Sequence, residues 1–360
     1  MNPISKIGNS FKNRRAAYAL MDAAEKKRYW RELFVNNSLY LFIVIAIIAI
    51  WIQKPEFLST NSVINIISLS AANLPIALGI GGAIILTGTD LSAGRIVGLT
   101  ACIAASLLQA TDYGKKMFPR IGTLHIFPVI LIIIAVGALI GLINGFCTAQ
   151  FGLHPFIVTL ATQLIVYGVL LIYLMQGNNN GQPISGLDDN YKNFVKDSFI
   201  KIDGTPIPNF VWYALLITVV MWIIWNKTTF GKNMFAVGSN PDAARVSGVN
   251  VKATIMLVFM LAGAMYAFTG FIEGARIGSN TANTGLNYES DAIAACVIGG
   301  VSFVGGIGKI RGVIMGVFLL RIIFVGLQFM SVDANLQYII KGLIILVACA
   351  IDMRKYLVKR

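Results

Sequence analysis

The chain is poor in the residues that carry solution chemistry. Of its 360 residues only 12% are charged, about half the share usual in a soluble domain. There are two histidines, His125 and His154. Neither has a second metal ligand at helical spacing, which argues against a zinc intramembrane protease. No Gly-x-Ser-x-Gly elbow occurs. The nearest approach to a phosphate-binding loop, Gly305-Gly306-Ile307-Gly308-Lys309-Ile310, has neither the required spacing nor the hydroxyl. ATP cannot be held by that device, so any ATP used must be bound by another subunit. The four cysteines, Cys102, Cys147, Cys296 and Cys349, lie within apolar stretches. They read as small core residues, and point to neither a disulfide framework nor a metal site.

What the chain has instead is apolar length. Hydrophobic residues make up 56%, and segments long enough to cross a bilayer recur almost continuously. We expect an all-α polytopic membrane protein with about ten spans, near 38–53, 62–86, 92–110, 126–150, 155–176, 210–226, 251–274, 290–304, 310–329 and 337–353. The segment at 290–304 is short and rich in glycine. The chain then divides into a basic N-terminal segment, 1–37, a transmembrane domain, 38–353, and a basic tail, 354–360. The first apolar run starts too late, and lacks the small-residue pattern, for a cleavable signal peptide.

Charge sets the expected orientation. Residues 1–37 carry Lys6, Lys12, Arg14, Arg15, Lys26, Lys27, Arg28 and Arg31 against Asp22, Glu25 and Glu32, and the tail carries Arg354, Lys355, Lys359 and Arg360. Positive residues favour the cytoplasmic side, so both termini are expected there, with an even number of spans. The loop 227–252 is also basic, whereas 177–209 is balanced and is expected outside. Lys115, Lys116 and Arg120 in 111–125 fall outside in this arrangement, against the bias. The net charge of +13 thus reports topology and anionic lipid, and no nucleic acid. Trp30, Leu33 and Phe34 share a helix face among basic residues, which fits a segment resting on the membrane surface or a plain solvated tail.

Glycine interrupts the apolar runs at Leu78–Gly82, Thr87–Arg95 and Ile298–Gly308. Irregular backbone at membrane depth survives where protein covers it or water lines it, so the breaks fit either a transport pathway or tight turns between packed helices. Ionisable residues lie in or beside these segments: Asp90, Arg95, Glu273, Arg276, Glu289, Asp291, Arg321 and Lys341. Each must face the bundle interior, a partner or water, as a pathway residue or as half of a structural pair. Glu273 and Arg276, three apart, share a helix face. Arg321 stands between Phe318-Leu319-Leu320 and Ile322-Ile323-Phe324.

The loop Thr229 to Val251 carries the signals of a short capped helix. Asn240 caps it, Pro241 fits the first turn, Asp242 meets the positive dipole end, Arg245 the negative end, and Gly248 stops it. Such a helix is either a grip for a partner or an ordinary connection.

Three stretches carry a family resemblance over nearly the whole chain: Thr87-Gly88-Thr89-Asp90-Leu91-Ser92-Ala93-Gly94-Arg95, Ile140-Gly141-Leu142-Ile143-Asn144-Gly145 with His154-Pro155-Phe156-Ile157, and Asp291 through Phe303. With the 229–251 loop, they resemble the membrane permeases of bacterial ATP-binding-cassette sugar importers of the ribose, xylose and galactose group. The Thr-Asp-Leu-Ser-Ala-Gly-Arg variant tilts the resemblance to the galactose/methyl-galactoside branch. Departures occur at Thr159-Leu160-Ala161-Thr162, where relatives usually place glycine third, and at Ser290, where near relatives often have leucine.

The resemblance implies a homodimer in the bacterial inner membrane, forming the pathway for a monosaccharide. It implies a cytosolic ATPase with a pair of nucleotide-binding domains holding ATP and Mg, and a periplasmic sugar-binding protein; this chain needs no cofactor and is not an enzyme. On that basis Thr87, Thr89, Asp90, Ser92, Asn144, Glu289 and Asp291 are expected along the pathway. Gly238, Asn240, Pro241, Asp242, Ala243, Ala244, Arg245, Ser247 and Gly248 are expected to couple to the ATPase, with Glu273, Arg276 and Arg321 as intramembrane charges. The competing readings are an ion-gradient-driven carrier, in which Asp90 and Asp291 relay protons, and a lipid-modifying enzyme, for which no nucleophile or base is evident. Glucose, ribose or a nucleoside remain open as cargo.

Overall fold

A computed structural model describes residues 22–357 of the protein. Its contacts divide the chain into Met1–Pro55 and Glu56–Arg360, each taken here by itself. In the first unit a single helix, α1 (Ala23–Gln53), is opened by a capping box. Glu25 N donates to Asp22 Oδ1 at 2.6 Å, and Asp22 N donates to Glu25 Oε2 at 3.1 Å. The helix runs unbroken through the expected boundary at 37/38, because no glycine or proline lies within it and its polar half is rich in helix formers. It ends where Pro55 holds Lys54 out of the helical region. Trp30 is exposed. Lys6, Lys12, Arg14, Arg15, Lys359 and Arg360, and the side chains of Leu33, Phe34, Arg354 and Lys355, lie outside the described residues.

The second unit is a helical bundle. In chain order it contains α2 (Thr60–Ile85), α3 (Ala93–Leu107), α4 (Ile126–Phe151), α5 (Pro155–Leu174) and α6 (Asp189–Lys196). A hairpin of β1 (Ile200–Ile202) and β2 (Thr205–Ile207) follows. The remainder is α7 (Asn209–Lys227), α8 (Thr229–Ser239), α9 (Pro241–Val246), α10 (Val251–Ile277), α11 (Tyr288–Ile298), α12 (Ile310–Phe329) and α13 (Ala334–Leu357). Among the described residues six helices, α2, α4, α5, α7, α10 and α12, are long and apolar enough to cross a membrane. The expected span at 290–304 is only the 11-residue α11. At about 1.5 Å per residue it covers roughly half of a hydrocarbon core.

The centre is α10, which packs on α4, α3 and α2. Gly137 and Gly141 of α4 meet Gly263 and Phe259 of α10 backbone to backbone, where a Cβ on Gly141 would collide with the Phe259 carbonyl. Close approach of this kind replaces the hydrophobic effect as the source of cohesion in lipid. The opposite faces are apolar as well: Phe127, Leu131, Leu164, Ile165, Ile172 and Leu216 are exposed. A bundle that is oily outside and tightly packed inside is shaped for a bilayer.

At one end of α10 the connecting segments form a structured cap. The hairpin turns through Asp203 and Gly204, both at positive φ, and Thr60 Oγ1 donates to Asp203 Oδ2 at 3.0 Å. Tyr191 of α6 is buried and donates to Phe271 O at 2.6 Å. Desolvation pushes its hydroxyl above the usual tyrosine range, which keeps the proton on the donor. The basic segment 111–125 belongs to this cap. Lys116 is folded inward, donating to Gln109 O at 3.1 Å. Gln109 itself accepts from Met117 N at 2.8 Å and donates to Ser185 O at 2.7 Å. Lys116 is therefore spent on a backbone carbonyl. The positive-inside bias concerns charges available to lipid, and this one is not.

Candidate functional site

Helix α2 stops at Ile85 and α3 begins at Ala93, and the turn between them holds most of the expected pathway residues. Thr87 is exposed with φ 59, a left-handed conformation that a β-branched residue resists. Asp90, Ser92 and Asn144 are each 0% exposed. Ser92 gives both its amide, at 3.0 Å, and its hydroxyl, at 2.6 Å, to Asp90 Oδ1. Asn144 Nδ2 donates to Ser92 Oγ at 3.0 Å, and Thr162 Oγ1 donates to Asn144 Oδ1 at 2.6 Å. Thr159 Oγ1 accepts from Leu91 N at 3.1 Å and donates to Thr89 O at 3.0 Å. The turn is thus stitched to α4 and α5, which satisfies backbone groups that would otherwise be orphaned at depth.

The other expected residues fall into separate clusters. Glu289, at the start of α11, rests against Gly94 in the first turn of α3, where the helix dipole favours a carboxylate. Arg95 stacks 4.1 Å from the Tyr167 ring centroid and donates to Ala282 O at 3.0 Å. Asp291 instead pairs with Lys341 Nζ at 2.6 Å and Arg321 Nη2 at 3.6 Å, tying α11 to α12 and α13. Glu273 is buried and held by Arg276 through bonds of 2.7, 3.0 and 3.1 Å, with Tyr288 donating at 3.1 Å. Asp90, Ser92 and Asn144 therefore form one group, Glu289 adjoins it across Gly94, and Asp291 belongs to another.

At the opposite end of α10 from the cap, the 229–251 loop is two helices. The second, α9, has six residues. Asn240 Oδ1 accepts from the amides of Asp242 and Ala243, each at 3.0 Å, and Pro241 occupies the first turn. Asp242 pairs with Arg245 at 3.1 Å, Ser247 Oγ donates to Ala243 O at 2.9 Å, and Gly248 turns out at φ 83. Val246 is 92% exposed. Such an apolar side chain on a rigid, capped projection invites a partner groove. Two residues of the expected coupling set do not reach that surface: Ala244 is buried under α9, and Gly238 is buried at the end of α8.

The family described as a branched-chain amino acid transport system permease component matches residues 62–349. The galactose/methyl galactoside import permease protein of Escherichia coli (strain K12) is 45% identical over 94% of this chain and 100% of that protein. That of Treponema pallidum is 37% identical over 91% of this chain and 64% of its own. The ribose import permease protein of Escherichia coli (strain K12) is 31% identical over 91% and 97%. The chain belongs to this family of import permeases. No solved structure matches it.

Several residues that build the permease's site escaped the sequence reasoning. Thr159 and Thr162 were visible only as a departure from related chains. Hydroxyls three apart within the apolar α5 were the available signal, since such groups in lipid-spanning helices seek partners on a neighbouring helix. Lys341 was seen as a charge, but its partner lay 50 residues away and no local pattern could supply it. Gln109 left no signal, because its role depends on the loop after α3 folding back on itself and meeting the loop before α6.

Proposed function

We propose that this permease is the membrane subunit of an ATP-driven importer of galactose or methyl galactoside, working as a homodimer with a separate cytosolic ATPase and a periplasmic sugar-binding protein. The observation that carries the reading is identity of 45% spread over the full length of a galactose/methyl galactoside import permease. The projecting, doubly capped α9 supports it, since a gradient-driven carrier has no need of a docking helix. The ribose and allose permeases, at 31–32%, make those sugars the weaker choice.

In this reading the protein lies in the bacterial inner membrane with about ten spans: the six long helices, the apolar part of α1, α3, α13, and the half-length α11 extended by the irregular segment up to residue 304. Both termini and α9 face the cytosol, and the hairpin cap faces outward. The pathway follows the Thr87–Ser92 break. Thr87 and Thr89 stand nearest to it, Glu289 borders it across Gly94, and Asp90, Ser92 and Asn144 shape it from behind, while Asp291 acts apart from it by holding α11 to α12 and α13. ATP and Mg act in the partner, where closure pushes α9 and shifts the bundle between outward and inward access. The basic residues that open α1 favour the anionic cytoplasmic leaflet.

Tagged permease should be solubilised gently from its native membrane and its stoichiometric partners identified by mass spectrometry. We expect one double-domain ATPase per pair of permease chains, and galactose uptake by the reconstituted complex. Repeated recovery of the permease alone, under conditions that preserve other transporter complexes, would overturn the reading.

A further inference from the structure

Gly238 opens the expected coupling set, yet it is buried and packs against the end of α2, next to the pathway break. A Cβ there would collide with the carbonyl oxygen of Ile85 and lie 2.9 Å from Gly306 N. Ile85 is the last residue of α2, where carbonyls lose their intrahelical partners. Its oxygen is capped from another segment: Gly306 N donates to it at 2.9 Å. Gly305 and Gly306 sit at φ 90 and 65, so the loop after α11 approaches only in a conformation that glycine tolerates. A Cβ on Gly305 would strike both the Gly238 carbonyl and Thr87 Cγ2, and one on Gly306 would strike Ser239. Thr87 is the residue held at positive φ in the break.

Three chain segments, the end of α8, the end of α2 and the loop 302–308, therefore meet largely through backbone atoms, with Thr87 and Ser239 the side chains that touch Gly305 and Gly306. Side chains can absorb a displacement by changing rotamer, whereas backbone packed on backbone must move together. Ser239, covalently next to Gly238, leads directly into Asn240 and α9. We propose that this junction of Gly238, Ile85 and Gly305–Gly306 is the transmission point through which movement of α9 reaches the Thr87–Ser92 break. The inference rests on the importer reading and specifies where its coupling passes.

The test uses the whole complex, with ATPase and binding protein, in proteoliposomes. Gly305→Ala inserts a methyl group into the junction at a strained φ. Gly308→Ala is the milder variant, because its Cβ would meet only the Ile85 side chain, at 2.9 Å, and Val301 at 3.4 Å. Two quantities are read: ATPase recovered per permease, and sugar imported per ATP hydrolysed. We expect ATPase recovery to be unchanged for both variants. Sugar per ATP should fall by roughly two- to thirtyfold in Gly305→Ala, the range over which residues between two sites modulate coupling, with a smaller loss in Gly308→Ala.

A purely structural role would lower the amount of complex and leave the ratio intact, and that result would overturn the proposal. Wild-type ratios in both variants would do the same. Should Gly305→Ala fail to reach the membrane, Gly308→Ala decides alone. Failure of the unmodified permease to recover any ATPase would defeat the importer reading itself, a result distinguishable from loss of coupling in an assembled complex.

Discussion

Asp291 shows how a single buried charge is valued by its partners. It faces Lys341 at 2.6 Å and Arg321 at 3.6 Å, with all three side chains mostly shielded. Replacing Asp291 by alanine would leave two cations facing each other in an apolar bundle. Replacing Lys341 by methionine would leave one carboxylate still paired with Arg321. Breaking a buried pair costs about 3–5 kcal/mol, and we expect Asp291→Ala to approach that while Lys341→Met costs clearly less. Thermal unfolding of both variants in lipid nanodiscs would check the order. Equal losses would mean that Arg321 contributes nothing to the cluster.

At the scale of elements, the shortest helix is the most exposed to sequence change. With six residues, α9 is far below the length at which a helix holds by itself. It relies on the Asn240 cap, the Asp242–Arg245 pair and the seat under Ala244. Asn240→Ala should remove about 1 kcal/mol of local stability. Because the loss falls on a projection and spares the core, the permease should insert normally but recover less ATPase on gentle purification. A pull-down from matched membrane amounts reads the difference, and undiminished recovery would separate α9 from docking. The longer elements are buffered by contrast: α4 and α10 meet along several turns, and no single hydrogen bond decides their contact.

For the whole molecule the governing contrast is an apolar exterior around a polar, stitched break. The apolar faces of α4, α5 and α7 require lipid, and the proposed topology puts the basic segments at both ends on its cytoplasmic side. Cysteines introduced at Ser5 and Lys359 should be labelled by a membrane-impermeant maleimide only after inner-membrane vesicles are inverted. One placed at Lys201 of the hairpin should be labelled in intact spheroplasts. Labelling of either terminus from outside would require an arrangement other than ten spans with paired ends.

Composition and local order alone determined the mostly helical membrane character, the positions of the long helices and the capped helix after Asn240, but not the β1–β2 hairpin. Each depends on neighbours within one or two turns: apolar runs of span length, a cap residue with Pro after it, a glycine able to take positive φ. Tertiary structure alone decided how the polar residues were used. Asp90 and Asn144 are joined through Ser92, Thr162 reaches Asn144 from α5, and Asp291 is drawn to Lys341. It also decided that Gly238 is buried beside Ile85, away from the exposed face of α9. The reason is physical: a desolvated polar group must find a partner wherever the packed helices bring one, and that partner is set by the fold in three dimensions, independent of distance along the chain.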